Sequence, residues 1–248
     1  MRNFYQAGRS VTYGLNGAIA TSNVHASQAG LGILKAGGNA MDAAIAACAV
    51  QCVVDPMQTG IGGDCFALVA RNGEGAVEGL NGSGRAPMAL TADYLRAQGF
   101  DKMLPTSVHS VTIPGAIDAW TRLHETYGRM DFADILAPAI DYAENGFPVT
   151  QRTSVDWEMG VAKLQKNETA SKLFLKDGKA PKAGSVWRLP ELAATLKAIA
   201  KTGRAAFYEG PLAEQMVESL RAAGGLHEAK DFAATSANYV TPIHADYA

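Results

Sequence analysis

The chain has 248 residues, 48% of them hydrophobic and 19% charged, which is ordinary for a soluble globular protein and long enough to bury a sizeable core in one domain. Its 22 Lys and Arg against 24 Asp and Glu, spread along the chain, leave a formal charge of -2; no basic footprint for nucleic acid or anionic lipid results, and small-molecule chemistry fits better. No window approaches the run of about 18 apolar residues that a membrane-spanning helix needs, and residues 1–6 lack the apolar run of a secretory signal, so the cytoplasm is the expected compartment.

Taken in chain order, residues 17–22 (Gly-Ala-Ile-Ala-Thr-Ser) predict a short buried strand, and residues 27–35 a helix that stops at Gly37 and Gly38. A second helix follows, capped by Asn39, with Asp42 in its first turn and an end near Asp55 and Pro56. Ala43, Ala44, Ala46, Ala47 and Ala49 make it apolar on most faces, which predicts a central, buried element. Cys48, Cys52 and Cys65 read as free, apolar-packed thiols. Residues 65–70 and 76–81 predict a hairpin around Asn72 and Gly73. From about residue 91 to 226 helices dominate, punctuated at Pro114, Gly128, Gly146, Gly184, Gly210 and Gly224. Residues 239–248 alternate like a strand and stop without a turn or polar tail, so residues 1–248 read as a single-domain fragment cut short there. The loosest connection is residues 177–184, and no internal boundary or repeat is evident.

Two loops carry candidate chemistry. Residues 59–64 (Thr-Gly-Ile-Gly-Gly-Asp) could let backbone amides converge on an anion. They lack the Gly-Lys-Ser/Thr ending of a phosphate loop and lead into a strand, where a dinucleotide fingerprint leads out of one. Residues 81–87 (Asn-Gly-Ser-Gly-Arg-Ala-Pro) place Arg85 among small residues after a strand end, where its planar fork could hold a carboxylate or instead be tied to a neighbouring Asp or to loop carbonyls. His25, His109, His124, His227 and His244 show no metal-ligand spacing, and His124 reads as a surface position within a helix. Trp120, Trp157, Trp187, Phe132, Phe207 and Tyr208 are too dispersed for a stacking surface and predict core packing. No metal and no organic cofactor is called for.

Several segments together resemble the large chain of the gamma-glutamyltransferase family of N-terminal-nucleophile hydrolases. They are residues 29–44 around Lys35-Ala36-Gly37-Gly38-Asn39-Ala40, then Gly60-Ile61-Gly62-Gly63, Ile113-Pro114-Gly115 and Tyr127-Gly128. Residues 136–140 with Gly146-Phe147, and Phe207-Tyr208-Glu209-Gly210 with Gly224-Gly225, complete the set. The resemblance implies an α+β fold, a four-layer αββα sandwich of which this chain supplies the helix-rich part. It also implies a self-processing precursor, with the nucleophilic Thr opening a separate small chain that completes a heterodimer, and further dimerisation of the two-chain unit is possible. No catalytic residue is then expected within residues 1–248, where no threonine sits in a Thr-Thr-His-like start.

One departure bears on the substrate. Members that act on glutathione carry a carboxylate-gripping arginine in a pattern like Phe-Arg-Glu-x-Ala-Pro; aligning its Ala-Pro on Ala86-Pro87 places that arginine on Ser83. Arg85 stands two residues later, about 6–7 Å along an extended segment. Members with the Asn-Gly-Ser-Gly-Arg-Ala-Pro version resemble hydrolases of other small amides, oxamate among them, in purine-nitrogen salvage. Arg85 is therefore the expected substrate-binding residue and a small carboxylate-bearing amide the expected partner. The alternatives are a gamma-glutamyl hydrolase or transferase, a cephalosporin- or glutaryl-type acylase, and a non-catalytic binding protein.

Overall fold

Helices begin in this chain where a side chain can take up their free amides. In the computed structural model, which describes residues 11–71 and 75–246, Asn23 caps α1 (Val24–Lys35) by accepting the His25 N–H, three residues upstream of the predicted start. Asn39 caps α2 (Ala40–Val54) by accepting the Met41 and Asp42 amides, and Asp42 returns the bond to the Asn39 N–H. The same Asp42 carboxylate accepts the Arg129 and Met130 amides, so the cap also anchors a turn 87 residues away. α1 and α2 meet at Gly30, where a Cβ would lie 2.9 Å from the Ala43 carbonyl oxygen.

Next come β1 (Cys65–Val69) and β2 (Glu78–Gly82), antiparallel in a register running from Cys65↔Gly82 to Val69↔Glu78. This is the predicted hairpin; residues 72–74 of its turn lie outside the described residues. The helical stretch then unfolds as α3 (Ala92–Ala97), α4 (Ala116–Tyr127), α5 (Phe132–Asn145), β3 (Phe147–Pro148), α6 (Gln151–Leu164), α7 (Glu168–Phe174), β4 (Val186–Trp187) and α8 (Pro190–Thr202). It closes with α9 (Ala205–Tyr208), α10 (Gly210–Ala222), α11 (Ala229–Ala233) and β5 (Asn238–Val240).

The core is built around α2, which packs against α1, α4 and α5, with α8 behind α5. Sheet order is β1-β2-β5, all antiparallel, with α4 against β1 and β2; β3 and β4 form a separate two-stranded ribbon. Trp120, Trp157, Phe207 and Tyr208 are buried in this core, as predicted, and the Trp157 indole N–H donates to the Phe174 carbonyl at 2.7 Å.

Three expectations need correction. Residues 17–22 form no strand: they lie along α2, largely exposed, and pair with no strand among the described residues. α2 is not buried all round, since Ala40, Ala44 and Cys48 form an exposed stripe at four-residue spacing. The C-terminal strand covers only Asn238–Val240 among the described residues, Pro242 having no N–H to continue a ladder, and residues 247–248 of the expected strand lie outside the described residues. Among the described residues the strands form one three-stranded sheet and the β3–β4 ribbon, so the architecture is α+β and helix-rich, as expected. No helix among the described residues is long and apolar enough to cross a membrane.

Candidate functional site

The two glycine-containing loops singled out in the sequence meet in space, and the hairpin register is what brings them together. Cys65 pairs with Gly82, so the residues just before β1 face those just after β2. Asp64, one residue before β1, reaches across with its Oδ1 to accept the Gly84 N–H at 2.7 Å. Asn81 Oδ1 accepts the Ser83 N–H at 2.9 Å, and the Arg85 carbonyl accepts the Ile113 N–H at 2.9 Å. Three consecutive residues, Ser83, Gly84 and Arg85, are thereby held through their backbones.

The N-terminus of α4 closes the arrangement. The Gly63 carbonyl accepts both the Gly115 and Ala116 amides, at 2.9 and 3.0 Å, which satisfies free donors of that helix start. Backbones come so close here that side chains are excluded. A Cβ on Gly84 would lie 2.2 Å from the Ile113 carbonyl oxygen, and one on Gly115 would lie 2.0 Å from that of Gly82. Gly60 and Gly62 differ: a Cβ on either meets nothing within 4 Å, so packing within the described residues does not demand glycine there.

Residues 59–64 do not act as an anion cradle in the simple sense, because the Gly63 N–H is spent on the Gly60 carbonyl and an acid closes the loop. Behind this loop lies a largely apolar cavity of about 290 Å³, lined by Cys52, Thr59, Ile61, Phe174 and Leu192 among others. The Arg85 side chain is exposed and makes no hydrogen bond or ion pair among the described residues, so the alternative of an arginine tied to a neighbouring Asp is not what is observed. Ser83, on the same loop, is exposed as well.

Asp64 was missed by sequence reasoning. The signal was available: an acid directly before a hairpin strand whose partner strand runs into the Arg85 loop is placed opposite that loop by register alone.

Other reactive groups are accounted for structurally. Burial pushes the Cys52 thiol up to about 12 and the Cys65 thiol up to about 11, with the neighbouring Cys48 adding in the same direction, so both stay protonated and inert at neutral pH. His124 is half-buried and sits by the C-terminal turn of α4, its Nε2 2.7 Å from the Met130 carbonyl oxygen and its ring against Phe132. His227 is buried with Nε2 2.9 Å from the Val111 carbonyl oxygen, and His25 lies 3.0 Å from that of Pro148. His109 packs edge-on against Tyr94 and Phe100. No group of three His, Cys, Asp or Glu among the described residues could hold a metal ion.

Residues 26–248 match the family described as Gamma-glutamyltranspeptidase. The chain is 40% identical over 222 residues to the glutathione hydrolase-like YwrD proenzyme of Bacillus subtilis (strain 168), covering 90% of this chain and 42% of that protein. It is 35% identical over 206 residues to the oxamate amidohydrolase proenzyme of Klebsiella pneumoniae, covering 80% of this chain and 38% of that protein. Among solved structures, a cephalosporin acylase from Bacillus halodurans superposes with a TM-score of 0.91 at 42% identity, over 99% of this chain and 47% of the other. The chain thus spans less than half the length of these relatives.

Proposed function

Because the chain belongs to the gamma-glutamyltranspeptidase family, a family of hydrolases made as proenzymes, we propose that it forms the substrate-recognising part of an amide hydrolase whose reacting hydroxyl lies on a separate small chain from the same precursor. In that scheme an N-terminal Thr hydroxyl attacks the amide carbonyl while its own amine removes the proton, a free amine within reach being needed because a hydroxyl is a weak nucleophile at neutral pH. Ammonia leaves, and water resolves the acyl-enzyme to the acid. No metal or organic cofactor is required. The four-layer αββα sandwich belongs to the same proposal, the small chain bringing the second sheet.

The substrate proposed is a small carboxylate-bearing amide such as oxamate. Arg85 carries this reading: a planar guanidinium with no partner among the described residues, on a loop whose backbone is held at three successive residues, is ready to take a carboxylate in two parallel hydrogen bonds. Steady-state kinetics of Arg85→Ala in the mature two-chain enzyme test it. Loss of a charge-assisted contact worth about 1.5–3 kcal/mol lowers kcat/KM by roughly 10- to 150-fold. Unchanged constants would remove Arg85 from substrate binding.

A second reading, a gamma-glutamyl hydrolase or transferase, is favoured by the 40%-identical relative, which is named glutathione hydrolase-like. Ammonia released from oxamate and aniline released from a gamma-glutamyl anilide, measured on one preparation, separate the two. Turnover of the anilide alone would overturn the oxamate assignment.

A further inference from the structure

We propose that Asp64 is the positioning residue for Arg85, an inference that rests on the carboxylate-binding role given to Arg85 above. Asp64 immediately precedes β1, and the Cys65↔Gly82 pairing sets its backbone opposite the start of the Arg85 loop. From there its Oδ1 takes the Gly84 N–H at 2.7 Å, a charge-assisted bond to the amide directly before Arg85.

The other restraints on this loop leave that amide to Asp64. Asn81 holds Ser83 within its own turn, and Ile113 holds Arg85 from the far side. Gly84 itself is pressed against Thr112 and Ile113, so it carries no side chain that could fix its peptide plane. The peptide between Ser83 and Gly84 is therefore oriented by the Asp64 carboxylate, which fixes the backbone one residue before Arg85. Asp64 makes no ion pair among the described residues and is exposed, so neither charge pairing nor burial accounts for an acid here.

The test uses the mature two-chain enzyme and two amides: whichever of oxamate and gamma-glutamyl anilide is turned over, and its analogue without the carboxylate, oxamide or 4-aminobutyryl anilide. Asp64→Ala is expected to raise KM for the carboxylate-bearing amide by about five- to tenfold, with kcat within about twofold and the analogue's kcat/KM unchanged. Asp64→Asn, whose amide oxygen still accepts the Gly84 N–H, restores KM even if the alanine variant assembles poorly. The double variant Asp64→Ala, Arg85→Ala is no worse than Arg85→Ala alone, since one residue acts through the other. Additive losses, an equal fall for both amides, or failure of Asp64→Asn to restore KM overturns the proposal. A silent Arg85→Ala overturns it together with the carboxylate reading, whereas a damaging Arg85→Ala beside a silent Asp64→Ala overturns the Asp64 role alone.

Discussion

Asp55, the residue that ends α2, sits 5% exposed beside Asp156 of α6, itself 6% exposed. Each carboxylate has one oxygen served, Asp55 Oδ2 by the Gln51 amide at 3.0 Å and Asp156 Oδ2 by the Arg152 guanidinium at 2.7 Å. The Oδ1 atom of each is buried without a hydrogen-bond partner. Burial, and then the charge of Asp156, push the Asp55 carboxyl above the usual carboxylate range. The folded state therefore binds a proton at Asp55 more readily than the unfolded chain does. Its stability falls as pH rises from the ordinary Asp value of about 3.9 through the raised folded value, above which the whole penalty is present. Asp55→Asn removes that penalty, and its amide oxygen can keep the Gln51 contact. Thermal unfolding of the precursor is expected to show the variant melting above the parent at pH 7, with the difference fading as pH drops toward 3. A constant difference across that range would mean the gain is not protonic. Neither the pairing nor its cost is legible in the sequence, because Asp55 and Asp156 stand about a hundred residues apart and only the tertiary fold puts them together.

At the scale of elements, one buried acid ties the end of the described chain to its middle. Asp118 on α4 is 1% exposed and binds the Arg122 guanidinium one turn later, the Arg204 guanidinium at the head of α9, and the Ala237 N–H at 2.6 Å just before β5. Arg204 continues to the Ala233 and Thr235 carbonyls, and the Tyr208 hydroxyl, accepting the Asp118 N–H, donates to the Pro114 carbonyl. This network delivers β5 to the free edge of β2, the strand that leads into the Arg85 loop. Asp118→Ala leaves the buried Ala237 amide without its acceptor and takes one partner from each of two guanidinium groups, so a loss of about 1–3 kcal/mol in unfolding free energy is expected from denaturant titration. A loss under about 1 kcal/mol would show that the latch is incidental. The contrast with what the sequence announces is instructive. The Asn39 cap, the Asp42 capping box and the hairpin are local, set by residues within a few positions of each other, and they are readable from spacing alone. The Asp118 latch spans 119 residues and the Asp42 link to Arg129 spans 87, distances over which periodicity carries no information. Residues 17–22 failed for a related reason: they have strand-like composition, but a strand is defined by its neighbour, and here they lie against α2.

For the whole molecule, the decisive feature is a sheet with one covered face. Cys65, Ala67 and Val69 of β1 turn toward α4 and α2, while Phe66 and Leu68 turn away and are 67% and 73% exposed. A strand apolar on both sides is the pattern of a strand buried on both sides, and an exposed Phe and Leu on a strand with a free edge is a surface that associates. The exposed Ala40, Ala44 and Cys48 stripe of α2 says the same of the adjoining layer. Under the proposed two-chain arrangement, the small chain covers both. The double substitution Phe66→Ser, Leu68→Ser should then leave the described core intact, because neither side chain enters it, yet weaken retention of the small chain after processing. Size-exclusion chromatography of the processed variant, read on a denaturing gel, is expected to show the two chains separating where the parent elutes as one unit. The Cys48 thiol gives an independent reading: protected from a thiol reagent in the parent unit, it should become reactive as the chains part. If the variant elutes as one unit with Cys48 still protected, the sheet face and the α2 stripe are not where the partner sits, and the stacked-sheet arrangement fails with them.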